Sequence, residues 1–373
     1  MNIWMKGLND GKKRPVLFWL HGGGYTTGNG QEHPGYDGRN LADKGDVVVV
    51  TINHRLNVLG FLDLSAFGEK YKASANVGMT DIVAALRWVK DNIANFGGDP
   101  DCVTIFGQSG GGGKVSTLLC MPSAKGLFHR AMVMSGSFLG STPQQEAREV
   151  GQMTAWFLGL TSQTIDSIQH IPYERLLEAS NKAFREVSNR RRDKQTGHGI
   201  RLGWGPVNDG DIMPGIFEGG SERISNDIPL LIGSTLNEFS TPNEDKMVRP
   251  AVIKQATIRC QDGGAPVFVY LSAYQTPTLD GKNHACHNSD IPFFFNNVVK
   301  SAQMTGATKE GIALGEKMSS VLLNFARYGN PNGANGKMNI KGLPQWPAFT
   351  PDTEATMRFD APKCTLVSVS TSK

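Results

Sequence analysis

The sequence predicts an α/β fold with a mostly parallel central sheet, flanked by helices and carrying a helical insertion. Three observations predict it. Short β-branched or aromatic runs end in glycine or polar clusters; longer stretches with helical spacing separate them; and one central region, 142–202, shows helical patterns with no strand signal between them. At 373 residues the chain exceeds the usual single core, yet large α/β sheets reach this size without splitting, so one domain over 1–373 is expected.

The elements follow in order. "NIWMK" reads as a strand, "PVLFWL" (Pro15 to Leu20) as a second that delivers the chain into "HGGGYTTGNG", and "DVVVVTINHR" (Asp46 to Arg55) as a third, each buried on both sides. In "TDIVAALRWVKDNIANFGGDP" the residues Ile82, Leu86 and Val89, with Trp88 and Ile93, recur at helical spacing; Thr80 is the expected cap, and Gly97, Gly98 and Pro100 the stop. "CVTIFG" is the next strand, "KVSTLLCM" a helix, and "HRAMVMSGS" (His129 to Ser137) a further strand. "QQEAREVGQMTAWFLGL" and "YERLLEASNKAFREV" are amphipathic helices of the insertion, expected to form a lid. Strands return at "IPLLIGST" (Ile228 to Thr235) and "APVFVYLSA" (Ala265 to Ala273). The helix "KEGIALGEKMSSVLLNFARYG" follows, and "VSVSTSK" closes the chain as a short edge strand and frayed end.

Composition narrows the function. The net charge of +4 is small, and the one dense basic run, "NRRRDK" (Asn189 to Lys194), reads as a solvated loop, so no nucleic-acid partner is expected. Five cysteines (Cys102, Cys120, Cys260, Cys286, Cys364), odd in number and without a CxxC pair, predict neither a disulfide framework nor a metal site. No run approaches the roughly 18 apolar residues of a membrane span. The N-terminus lacks a charged segment followed by an apolar one, so a cytoplasmic location is the default expectation, or secretion if a leader has been removed. No cofactor is expected, and a monomer is assumed.

The stretch "TIFGQSGGGGKV" carries the chemistry. A phosphate loop needs G-x-x-x-x-G-K-[ST], but Gln108 stands where the first glycine belongs and Val115 follows Lys114. Gly107-Gln108-Ser109-Gly110-Gly111 instead satisfies G-x-S-x-G between a strand and a helix, the sharp turn that exposes a nucleophilic serine above a sheet. At the end of the "PVLFWL" strand, "HGGG" (His21 to Gly24) lets several backbone N–H groups converge on one point, as a tetrahedral oxyanion requires. Gly110, Gly23 and Gly24 are the expected donors.

A base and an acid should come later in the chain. Of the eight histidines, His21, His33, His54, His129, His170 and His198 precede the second strand block, leaving His284 and His287 in "NHACHNSDIPFFF". Position alone does not separate the two. For the acid, Glu238 in "PLLIGSTLNEFS" competes with Asp209 in "PVNDGDIMP". Phe293, Phe294 and Phe295 are candidates to line an acyl pocket, with at least one facing the core.

Six blocks, "PVLFWLHGGGY", "VVVVTINHRLNVLGFLDL", "NVGMTDIVAALRWVKDNIANFGGDPDCVTIFGQSGG", "LFHRAMVMSGS", "HNSDIPFFF" and "FARYGNPN", resemble in order the signature blocks of the type-B carboxylesterase and cholinesterase-like family. The resemblance runs from Asn2 to about Phe359. It implies an α/β-hydrolase that cleaves carboxylic esters, on small to medium acyl groups, through a Ser-Glu-His triad without a cofactor or metal. It places Ser109 as nucleophile, Glu238 as acid and His287 rather than His284 as base, with Gly23, Gly24 and Gly110 as oxyanion donors. Three departures stand out. Gln108 replaces the family's usual Glu, with altered local hydrogen bonding expected. The chain matches only from just inside an early strand, so it reads as shortened at its N-terminus. Glu238 and His287 lie 49 residues apart, less than the family norm, which predicts a more open acyl site. Two alternatives use the same parts: a catalytically silent binding module on this fold, and a hydrolase of lactones, thioesters or amides.

Overall fold

The structure, a computed structural model, describes residues 1–191, 203–217, 220–239 and 246–368. Its strands in chain order are β1 (Asn2–Trp4), β2 (Arg14–Leu20), β3 (Val48–Thr51), β4 (Gly98–Gln108), β5 (Arg130–Met134), β6 (Thr142–Pro143), β7 (Val207–Asn208), β8 (Leu230–Thr235), β9 (Val267–Ser272), β10 (Thr356–Phe359) and β11 (Thr365–Val367). The helices are α1 (Arg39–Gly45), α2 (Asn57–Phe61), α3 (Val77–Asn92), α4 (Gly110–Leu118), α5 (Gln144–Phe157), α6 (Tyr173–Arg190), α7 (Val248–Cys260), α8 (Ile291–Phe294), α9 (Ala302–Thr305) and α10 (Lys309–Tyr328).

Nine strands form one sheet in the order β1-β3-β2-β4-β5-β8-β9-β10-β11, parallel except for the antiparallel pairs at its two edges, β1 with β3 and β10 with β11. The pleat divides the apolar runs between two cores. Val16, Phe18 and Leu20 of β2 face one side, where α3, α4 and α7 bring Ile82, Leu86, Val115 and Val252. Leu17 and Trp19 face the other, against Leu41, Phe325 and the α8 aromatics. This two-sided burial explains why β2 and β3 read as continuous apolar runs. β1, expected to be buried on both faces, is half-buried along its length because it forms the sheet edge.

From β2 the chain steps outward to β3 and then returns to the other side of β2 as β4. The strand order reverses between β2 and β4, and in open α/β sheets the crevice beyond the strand ends at such a reversal is where ligands bind. Both glycine motifs emerge there, "HGGG" from β2 and the G-x-S-x-G turn from β4.

Several expectations need correction. α3 begins at Val77, not after Thr80. The Thr80 hydroxyl instead donates back to Val77 O at 2.9 Å from within the helix, and Gly97 ends the following turn in a left-handed conformation. Trp88, grouped with the buried face, is exposed. Phe293, Phe294 and Phe295 are all buried in the core with Trp19, Phe106, Tyr270 and Phe359, because a proline-started turn of helix tucks the run beneath the sheet. Among the elements that escaped the sequence reading are β10, only four residues long, and α7, whose Pro250 sits in its first turn and resembles a breaker.

Within 142–202, α5 and α6 pack together and bury Ala155, Leu158, Leu176 and Ala179 against Val58, Leu62 and Leu64. A two-stranded pairing of β6 with β7 ties the start of the segment to residue 207. Residues 192–202 lie outside the described residues, as do Arg192 to Lys194 of the basic run and the end of "VSVSTSK" from residue 369; β11 holds the edge just before it. Arg190 pairs with Glu186, and Arg191 bridges Glu146 and Glu149 of α5. All five cysteines are free thiols. No helix of the described residues is long and apolar enough to cross a membrane.

Phe295, with no exposure, packs edge-on against Trp19 at 5.0 Å and at a tilt against Phe106 at 5.2 Å. Phe295→Ala should therefore lower the unfolding free energy by about 3–5 kcal/mol in a urea titration.

Candidate active site

The turn between β4 and α4 holds Ser109 at φ 57°, ψ −123°, a conformation a non-glycine residue adopts at a cost of about 1–3 kcal/mol. Two backbone bonds enforce it: Ser109 N–H donates to Met134 O at 2.8 Å, and Gly113 N–H donates to Ser109 O at 2.9 Å. The turn fits only because its flanks lack side chains. A Cβ on Gly111 would lie 2.0 Å from Leu20 O, so the helix start and the end of β2 are in backbone contact.

The "HGGG" loop closes over this turn. Gly23 has φ 85°, and its carbonyl accepts from Thr26 N–H at 3.0 Å and Thr27 N–H at 3.1 Å. His21 Nδ1 lies 2.9 Å from Gly22 O; a carbonyl only accepts, so the ring carries its proton on Nδ1. The point where a Gly110 Cβ would project lies 2.4 Å from Gly24 N. The backbone at 110 and at 24 thus meets beside Ser109.

On the far side of β5, the loop after β8 is zipped to the loop before α8. Asn237 N–H donates to Ala285 O at 3.1 Å, and His287 N–H donates to Glu238 O at 3.0 Å. This backbone pairing brings the Glu238 carboxylate, its side chain fully buried, onto the His287 ring, whose Nδ1 donates to Oε2. The other carboxylate oxygen accepts from Ser135 Oγ at 2.6 Å and from Thr235 N–H at 2.8 Å. Held on both oxygens, Glu238 fixes the ring orientation and the proton on Nδ1, which leaves Nε2 unprotonated. The competitors lie elsewhere: Asp209 accepts from Asn76 Nδ2 at 2.9 Å and from Met213 N–H at 2.9 Å, and His284 Nδ1 faces Gln275 Oε1 at 3.0 Å.

Gln108, fully buried, places its amide nitrogen 3.2 Å from His287 Nε2 and 3.4 Å from Nδ1, while its Oε1 has no partner among the described residues. Three further residues were not singled out from sequence. Ser135, in a left-handed conformation at φ 49°, braces Glu238. Asp290 is buried, accepts from Tyr270 OH at 2.7 Å, and has its pKa pushed up to about 7, chiefly by burial. Phe239, exposed, covers the His287 ring at 4.3 Å between centroids. Asp290 falls within the "HNSDIP" block and Ser135 at the end of a strand, but nothing in either stretch signals a buried contact. Among the described residues, no cluster of three or more His, Cys, Asp or Glu side chains is placed to hold a metal ion.

A strained serine at the sheet's reversal point, beneath converging glycine amides, defines an α/β-hydrolase. A sequence model of the carboxylesterase family matches residues 1–258 and 244–372. The para-nitrobenzyl esterase of Bacillus subtilis (strain 168) is 33% identical over 94% of this chain and 76% of its own length, and carboxylesterase 3 of Homo sapiens 30% identical over 91% and 67%. Among solved structures, an esterase from Clostridium hathewayi that can hydrolyse aliphatic aromatic polyesters superposes with a TM-score of 0.84 at 35% identity, covering 98% of this chain and 79% of that one. A Geobacillus stearothermophilus carboxylesterase gives 0.80 at 35% identity, covering 99% and 82%. The chain belongs to the carboxylesterase family and is a carboxylesterase of the α/β-hydrolase fold.

The contact at Gly111 yields a direct test of the turn. Gly111→Ala must push the β2 end away, so it should cost about 2–3 kcal/mol of stability by urea unfolding and reduce the yield of folded protein.

Proposed function

We propose that this carboxylesterase works by two-step acyl transfer, with Ser109 as nucleophile, His287 as general base and Glu238 as the acid that orients it. The observation that carries the proposal is the contact of His287 Nδ1 with a Glu238 carboxylate held on its other oxygen by Ser135 and Thr235. His287 Nε2 takes the Ser109 proton as Oγ attacks the ester carbonyl, and Glu238 stabilises the imidazolium that forms. The N–H groups of Gly23, Gly24 and Gly110 receive the developing oxyanion. His287 then gives its proton to the departing alcohol, and water repeats the sequence on the acyl-enzyme to release the acid.

Ser109 Oγ makes no hydrogen bond to a described residue, and the Gln108 amide nitrogen sits 3.2 Å from His287 Nε2 and 3.4 Å from Nδ1. On this proposal, bound substrate draws the ring from Gln108 to Ser109, since such bonds commonly tighten only in the Michaelis complex. The whole chain then acts as one α/β-hydrolase domain, with α5 and α6 in a helical insertion. The substrates proposed are esters of small to medium acyl groups. The Bacillus subtilis relative is named for para-nitrobenzyl esters, which makes that alcohol a natural probe.

Ser109→Ala should abolish turnover of p-nitrophenyl acetate and butyrate and labelling by a fluorophosphonate, with the label on the wild type mapping to Ser109 by mass spectrometry. Full activity in the alanine variant, or a label on another serine, sinks the assignment. Glu238→Gln should lower kcat by about a hundredfold or more with KM little changed, because the imidazolium loses its counter-charge. An acyl-chain series should show kcat/KM falling from butyryl to long acyl chains; rising activity on long chains at an interface would contradict the proposed range.

A further inference from the structure

We propose that Lys114 is a positioning residue for ester turnover: its buried ammonium ties the His21–Gly24 loop to α4 and places a positive charge behind the amides that receive the oxyanion. The inference rests on the assignment of Ser109, Gly23, Gly24 and Gly110 proposed above.

Lys114 lies in α4, five residues after Ser109, and has no exposure. Its Nζ donates to His21 O at 2.9 Å and sits 5.5 Å from the centre of the Tyr25 ring. No carboxylate among the described residues pairs with it; Glu32, the acid that acts on it, is exposed and works only at a distance. Tyr25 makes a second tie between loop and helix through its hydroxyl and Thr117 Oγ1 at 3.3 Å. Beside the lysine, the His21 and His54 rings stack at 4.9 Å, and His21 Nε2 and both His54 nitrogens lack partners. Burial and the nearby ammonium push both imidazoles towards the neutral form, so of these three bases the lysine carries the charge.

The bond pattern gives that charge a purpose. His21 O accepts from Lys114, Gly22 O from His21 Nδ1–H, and Gly23 O from Thr26 and Thr27 N–H. Each of these carbonyls shares a peptide unit with the next N–H, and an amide whose carbonyl is hydrogen-bonded is a stronger donor. Three successive peptide units, including those that end in the Gly23 and Gly24 N–H groups, are thus polarised as donors, the Lys114 bond acting on the first of them, which ends in Gly22 N–H. A methionine would fill the same space without desolvating a charge, so packing alone does not account for a lysine here.

The test compares full-length wild type with Lys114→Met on p-nitrophenyl butyrate, after titrating each with a fluorophosphonate to count labelled Ser109. Burial lowers the lysine's pKa to about 7, so wild-type kcat/KM should fall above that pH as the ammonium, faced by His21, His54, Tyr25 and Glu32, loses its proton. Lys114→Met should show kcat lower by about tenfold or more, KM within about twofold, and no alkaline fall of its own. A Met variant that labels fully at Ser109 and keeps kcat within less than that tenfold overturns the proposal. If the wild type does not label at Ser109, the assignment of the nucleophile fails and this inference fails with it. If the Met variant does not fold, the wild type decides: its affinity for a trifluoromethyl ketone, whose serine adduct bears an oxyanion, should weaken from about pH 7 to about pH 9. A constant affinity over that range overturns the proposal.

Discussion

Backbone contact between the end of β2 and the start of α4 is the constraint on which the rest of the site depends. Gly111 comes so close to Leu20 O that no side chain fits, and Gly112 meets Gly136 of the β5 loop just as closely. The ends of the three central strands are therefore joined through close backbone contacts at the turn that holds Ser109. Strain at Ser109 persists because its surroundings over-determine it.

Around that turn the charges are arranged in two buried groups of opposite sign. On the β8 side, Glu238 and Asp290 flank His287, and desolvation drives Asp290 toward its neutral form, so the pair need not carry two negative charges. On the β2 side, Lys114 stands with two imidazoles that burial keeps neutral. Each group thus tends to hold a single charge. On the proposed mechanism, the positive group stands on the side of the loop that receives the oxyanion and the negative group on the side of the imidazole that becomes charged.

The strands, the two glycine motifs and the proposed nucleophile were legible because they depend on local chemistry: apolar runs, and turns that only glycine allows. The proposed base was not legible from position: His284 and His287 are three residues apart in one loop, and only the resemblance of the "HNSDIPFFF" block favoured His287, which the structure brings against Glu238 through the pairing of Glu238 with Cys286. Ser135 and Lys114 were missed for a related reason. A serine after a strand and a lysine in a helix are ordinary surface residues until the sheet buries them, and burial is a property of the assembled fold. The phenylalanine run misled in the opposite direction. Three consecutive rings suggest a pocket wall, but a short helix started by Pro292 turns all of them inward.

The site's parts are also unequally spaced along the chain. The elbow, the glycine loop and Lys114 all lie before residue 135 and are joined through β2, β4 and β5, whereas the carboxylate and imidazole come from loops after β8 and β9. Chains emerge from the ribosome N-terminus first and fold in parts as they do. On the proposed mechanism, the hydroxyl is set in its turn well before any base can reach it, so a nascent molecule stays inert toward the esters around it until synthesis has passed His287.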